Sequence, residues 1–205
     1  MNNSVLNNCL RCVTVLLLIG SLSGCLGVRR GASEPLLDSV SPTYILSEGT
    51  FKFCDRNRDG EVKCDSSRVK LSKLKSGVWK ASFSPKSSEN DFYFFRSIDI
   101  NNEYALVELE KRNSSHVVTA FLYMIIKASN AGTIELYNLK LPSPAIKALN
   151  SEFPGLNLRR EDLAGFNFDS LTQDQIIKLA SKVVSRNFWS QSLFDSTYLL
   201  IPEGG

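Results

Sequence analysis

The stretch HVVTAFLYMII, His116–Ile126, is apolar at odd and even positions alike. A strand with one wet face alternates apolar and polar side chains; this one does not, so as a strand it must be covered on both faces. Its length also suits a helix. Val117, Val118, Ile125 and Ile126 are β-branched, Phe121 and Tyr123 are aromatic, and turn formers lie on either side, "RNSS" before and "SNAG" after. Those features favour a strand. The reading sets a demand on the rest of the chain: something must cover each face.

Working outward, turn clusters recur between residues 44 and 141: "SEG", "DRNRDG", "KSG", "SPKSSEN" and "NN", then the two already named. The segments between them alternate. "VWKASF" places Trp79, Ala81 and Phe83 on one face and Lys80 and Ser82 on the other. "YALVELE" places Ala105, Val107 and Leu109 on one face and Glu108 and Glu110 on the other. Short turns between consecutive strands make hairpins, so residues 44–141 are expected to form an antiparallel β-meander, bent into a curved sheet or partly open barrel.

From Pro142 the period changes. "AIKALN" reads as a short helix, and "TQDQIIKLASKVVSRNF" as the clearest helix of the chain. Thr172 and Gln175 fit a capping box, and Asp174 falls in the first turn, where the helix dipole favours a negative charge. Ile176, Leu179, Ala180, Val183 and Val184 form one apolar stripe. That helix needs a partner and the strand near Val117 needs a cover, so the two are expected to dock. The expected class is α+β, one domain over 44–205, with 142–205 mainly helical and "TYLLIP" returning as a last strand. "LNLRR EDLAG FNFDS" is similar to a pentapeptide-repeat pattern, but three units make less than one coil, and the stretch reads as a loop.

The chain has 205 residues, 24 Lys and Arg against 21 Asp and Glu, and a net charge of +3. Scattered charge of that size argues against a nucleic-acid partner. The supply of rings, 12 Phe and 6 Tyr, suits strands and a filled core.

Near the start, Arg11 precedes the apolar run VTVLLLIGS, which ends in Leu22-Ser23-Gly24-Cys25. The run is far short of the ~20 apolar residues that span a bilayer. A basic position, a short apolar core and small residues are the parts of a secretory signal peptide. Together with the cysteine, Leu22–Cys25 resembles the lipobox of bacterial lipoproteins: an aliphatic residue, two small residues and Cys. The resemblance implies that residues 1–24 are a signal peptide and that Cys25 becomes the first mature residue, its sulfur carrying diacylglycerol and its amine a further acyl chain. It also implies a sorting expectation. An Asp after that cysteine retains such proteins in the inner membrane of enteric-type cells; here Leu26 and Gly27 follow. The outer membrane is therefore expected if the host is Gram-negative. Residues 25–43, with Gly27, Gly31, Pro35 and Pro42, read as a flexible tether between lipid and domain. The expected partners are the membrane through its anchor, and an outer-membrane protein, lipid or cell-wall polymer near it.

Five cysteines are an awkward number for an exported protein. Cys9 and Cys12 lie in the signal segment and Cys25 is the lipid site. Cys54 and Cys64 remain, in "FKFCDRNRDGEVKCDSS". With Asp59 at the centre of a turn they oppose one another on a hairpin, near enough for a disulfide. Free thiols or a metal site are the alternatives, and two Cys with one His make a poor zinc set. In the same loop Asp55, Asn57, Asp59 and Gly60 match the first half of a calcium loop. The twelfth position, which wants Glu, is Ser66, and Arg56 and Arg58 interleave positive charge, so a polar turn is the plainer reading.

His116 stands alone at a turn, and no nucleophile elbow, H-E-x-x-H, Walker loop or dinucleotide glycine pattern occurs. The chain is therefore read as a non-enzymatic binding or scaffolding domain without a cofactor or resident metal. A carrier of a small apolar ligand inside the curved sheet, or an envelope enzyme, are the other classes.

Overall fold

Strand β7 (Val118–Ala128) is buried along most of its length. Ala120, Leu122 and Ile126 face one buried cluster, and Phe121, Tyr123 and Ile125 face another. Both faces are covered, as the unbroken apolar run requires. The computed structural model describes residues 26–32, 34–37, 45–57, 59–84, 92–112, 115–129, 131–137, 143–153, 160–161, 165–186 and 196–203.

The first face of β7 lines the inside of a barrel. Strands β2 (Gly49–Asn57), β3 (Val62–Lys73), β4 (Trp79–Ser84), β5 (Phe92–Asp99), β6 (Tyr104–Arg112) and β7 follow one another as a meander of antiparallel neighbours. Two more strands complete the ring: β8 (Ile134–Leu136) pairs with β7, and β11 (Ser196–Pro202) pairs with β8 on one side and β2 on the other. Among the described residues, eight strands thus close an antiparallel barrel. The sheet is not the partly open one expected from the sequence. Closure depends on β8, whose three residues are too few to show a period, and on β11, which returns from the far end of the chain.

The alternation read from the sequence sets the inside of the barrel. Trp79, Ala81 and Phe83 point in, with Ala105, Val107 and Leu109. They meet Phe51, Phe53, Val69, Leu71, Phe95 and Leu200. Trp79 stacks on Phe95 with ring centroids 6.1 Å apart, and Phe53 on Tyr198 at 5.4 Å. Interior side chains of this size fill a barrel of eight strands.

The second face of β7 is covered from outside by two helices, α1 (Ser143–Glu152) and α2 (Gln173–Ser185). The N-terminus of α2 forms the capping box of Thr172 and Gln175. Its Ile176, Leu179, Ala180 and Val183 are fully buried in one cluster with Phe121, Tyr123 and Ile125. Residues 142–205 supply both helices and, at "TYLLIP", the expected last strand β11; the stretch read as a loop also carries β9 (Arg160–Glu161) and β10 (Gly165–Asn167).

The stretch expected to be a tether is, in its described part, built into the wall. Leu26 and Leu37 are buried. Strand β1 (Gly27–Arg30) pairs antiparallel with β7, Gly27 opposite Tyr123 and Arg30 opposite Ala120, and β10 runs parallel beside it. The free edge of β7 is therefore shared: β8 occupies Ile126–Ala128 and β1 occupies Ala120–Tyr123. Gly31, at φ +66°, ends β1 in a left-handed turn that a side chain would strain. Gly31 and Pro35 thus belong to a strap packed on the barrel, because Leu26 and Leu37 have an apolar cluster to enter.

Leu179→Ala should lower the unfolding free energy by about 2–5 kcal/mol in urea denaturation. Lys147→Ala, on the exposed side of α1, should change it by less than about 0.5 kcal/mol.

Candidate functional site

The strap is held by a buried carboxylate. Glu108 lies between Leu106 and Glu110 on the outer face of β6, and in register it lies opposite Tyr123 of β7. It is 0% exposed. Its Oε1 accepts hydrogen bonds from the Leu36 amide at 2.9 Å and the Tyr123 hydroxyl at 2.5 Å, and its Oε2 accepts one from the Leu37 amide at 2.9 Å. A buried carboxylate without partners is costly; three donors, two of them from the strap, are what make this one tolerable.

Tyr123 is fully buried, its ring 5.3 Å from that of Phe168. Burial, and then the charge and hydrogen bond of Glu108, push its phenol well above the ordinary tyrosine range, with the nearby Arg29 guanidinium acting in the opposite sense. The phenol therefore keeps its proton and remains a donor to Glu108. Arg29, on β1, lies over the Phe121 ring at 5.6 Å and donates to the Glu34 carbonyl at 2.8 Å. That contact ties the outgoing and returning limbs of the strap.

A second buried carboxylate, Glu110, continues the same face. It accepts from Arg96 at 3.0 Å and from Arg112 at 2.6 and 3.1 Å, and the Arg112 guanidinium lies 4.9 Å from the Phe94 ring centre. Both oxygens of each glutamate are engaged, and both side chains are shielded from water. The arrangement binds a chain segment and braces a wall.

The residues singled out from the sequence lie elsewhere. Residues 1–25, with Cys25 and the lipobox, fall outside the described residues, as does Arg58. Cys54 and Cys64 oppose one another in the β2–β3 register and are joined, Cα to Cα 3.9 Å. In the turn between them, Asn57 accepts from the Glu61 amide at 2.9 Å and donates to the Glu61 carboxylate at 3.2 Å. Glu61 in turn pairs with Lys63 at 3.2 Å. Asn57 is thus spent on closing the turn, while Asp55 and Asp59 are exposed. Among the described residues no three His, Cys, Asp or Glu side chains gather as a metal site. His116 is exposed at its turn with φ 60°, its carbonyl accepting from Arg112.

Sequence reading separated the two faces of β6 but missed what Glu108 does. A signal was present: a face carrying two glutamates belongs to the hairpin partner of a strand that must be covered on both sides. Whatever covers the outer face of β7 covers β6 as well.

Among the described residues no helix is long and apolar enough to cross a membrane. No family model, curated protein or solved structure matches the chain.

Glu108→Gln keeps the shape but replaces one acceptor with a donor. It should cost about 1–3 kcal/mol of stability and speed hydrogen exchange at the Leu36 and Leu37 amides. The exposed Glu34→Gln should alter neither. Unchanged exchange at the two leucines in Glu108→Gln would contradict the latch.

Proposed function

We propose that this is a lipid-anchored protein of the bacterial envelope, held at the outer membrane by acyl chains on Cys25, with a barrel domain that binds or scaffolds another envelope component. The observation that carries the reading is Leu22-Ser23-Gly24-Cys25 at the end of a short apolar run. The cysteine arrangement supports it. Cys54 pairs with Cys64, which suits an oxidising compartment. Cys25 is then the one cysteine after residue 24 outside that pair.

Scaffolding is favoured over carriage by the contents of the barrel. Phe51, Phe53, Trp79, Phe95, Leu109 and Leu122 occupy its interior as one cluster, whereas a carrier keeps an apolar space for its cargo. Carriage is the second reading because eight-strand closure is an architecture that holds single small ligands. Interior-facing Phe83 and Tyr93, in edge-to-face contact at 5.8 Å, are only half buried. That half-buried pair is where an apolar ligand would enter.

Radioactive palmitate should label the wild-type protein and fail to label Cys25→Ala. Density-gradient fractionation should then place the wild type with outer-membrane markers. Label persisting in Cys25→Ala would sink the anchor, and recovery solely with inner-membrane markers would sink the sorting. Native mass spectrometry should give the lipidated polypeptide alone; a small molecule carried with it would turn the reading to carriage.

A further inference from the structure

We infer that the domain lies directly on the bilayer that anchors it, with no tether between, and that the seam of the barrel wall where β8 gives way to β1 is the face turned to the lipid. The inference rests on the lipid-anchor reading above and adds the orientation of the domain.

Leu26 is the fixed point of the strap. Its side chain is 1% exposed, and its amide donates to the Tyr123 carbonyl at 2.7 Å. The residue bonded to it lies one Cα step away, ~3.8 Å. An acyl group on Cys25 is therefore attached within one residue of a fixed point on the wall. The next residues add no slack, since Gly27–Arg30 are in register on β7 and the Leu36 and Leu37 amides are bonded to Glu108.

The attachment point is also defined around the barrel. Tyr137, just past β8, donates its amide to the Ile125 carbonyl, and Leu26 donates to the Tyr123 carbonyl, so the two segments meet end to end along one edge of β7. Leu26, the residue next to Cys25, sits at that junction. Half-buried Tyr137 stands at it, its hydroxyl donating to Glu135 at 2.7 Å. A ring with an apolar body and a hydrogen-bonded tip suits the boundary between acyl chains and headgroups. On the opposite side of the ring is β4, with three strands between it and β8 by either route. Its outward Ser84 is exposed.

The test uses the full lipidated chain in phosphatidylcholine vesicles containing a lipid with a nitroxide on its headgroup. A dye is placed through Glu34→Cys on the strap or Ser84→Cys on β4. The nitroxide should quench the dye at 34 and leave the dye at 84 unquenched. A Gly-Ser insert of about ten residues between Cys25 and Leu26, spanning roughly 16–19 Å, should abolish the difference. Equal quenching at both positions without the insert, on protein whose mass includes its acyl chains, would overturn the inference while leaving the anchor standing. A mass without acyl chains would remove the anchor reading, and the inference with it.

Discussion

Strand β7 must be dry on both sides, and the other elements are arranged to keep it so. Ala120, Leu122 and Ile126 require an inside, which the closed barrel supplies, and Phe121, Tyr123 and Ile125 require an outer cover, which the helices and strap supply. A shift of one residue in the pairing of β6 with β7 would exchange the two sets. It would turn Phe121 and Tyr123 into an interior already holding Trp79 and Phe95, and would separate Tyr123 from Glu108. The register is thus fixed from both faces at once.

The edges of β7 are as constrained as its faces. A long apolar strand with an open edge invites pairing with other chains. One edge here is filled by β6 and the other by two short strands, β8 just after β7 in the chain and β1 from far before it. Since β1 is short, it needs reinforcement. Glu108 supplies it by accepting the Leu36 and Leu37 amides after the chain has turned back at Gly31. A buried carboxylate is a poor way to add stability but a good way to fix one arrangement, because any other position of the strap leaves the charge with the Tyr123 hydroxyl as its one remaining donor among the three.

What could be read from the sequence follows from how local each signal is. The strands β4 and β6 and the helix α2 carry their own period and cap, so their faces and the Thr172–Gln175 box were legible. The Cys54–Cys64 opposition was legible because the turn residues lie between the two cysteines. Closure of the barrel was not, because β8 has three residues and β11 pairs with a strand more than a hundred residues away. The strap misled for a different reason. Gly27, Gly31 and Pro35 are what a tether contains, and they are also what a tight turn on a wall contains; only Leu26, Leu36 and Leu37 distinguish the two, through a surface made by other segments. The role of Glu108 was hidden in the same way, since two of its three donors are backbone amides more than seventy residues away.

The most direct test of this account is native-state hydrogen exchange along β7. Amides from Phe121 to Ile125 should exchange only through global unfolding, with opening free energies equal to the stability from urea denaturation. Loop amides such as Gly132 should open far more easily. Exchange of the β7 amides through openings well below the global value, with β3 still protected, would contradict the claim that the structure is built around this strand.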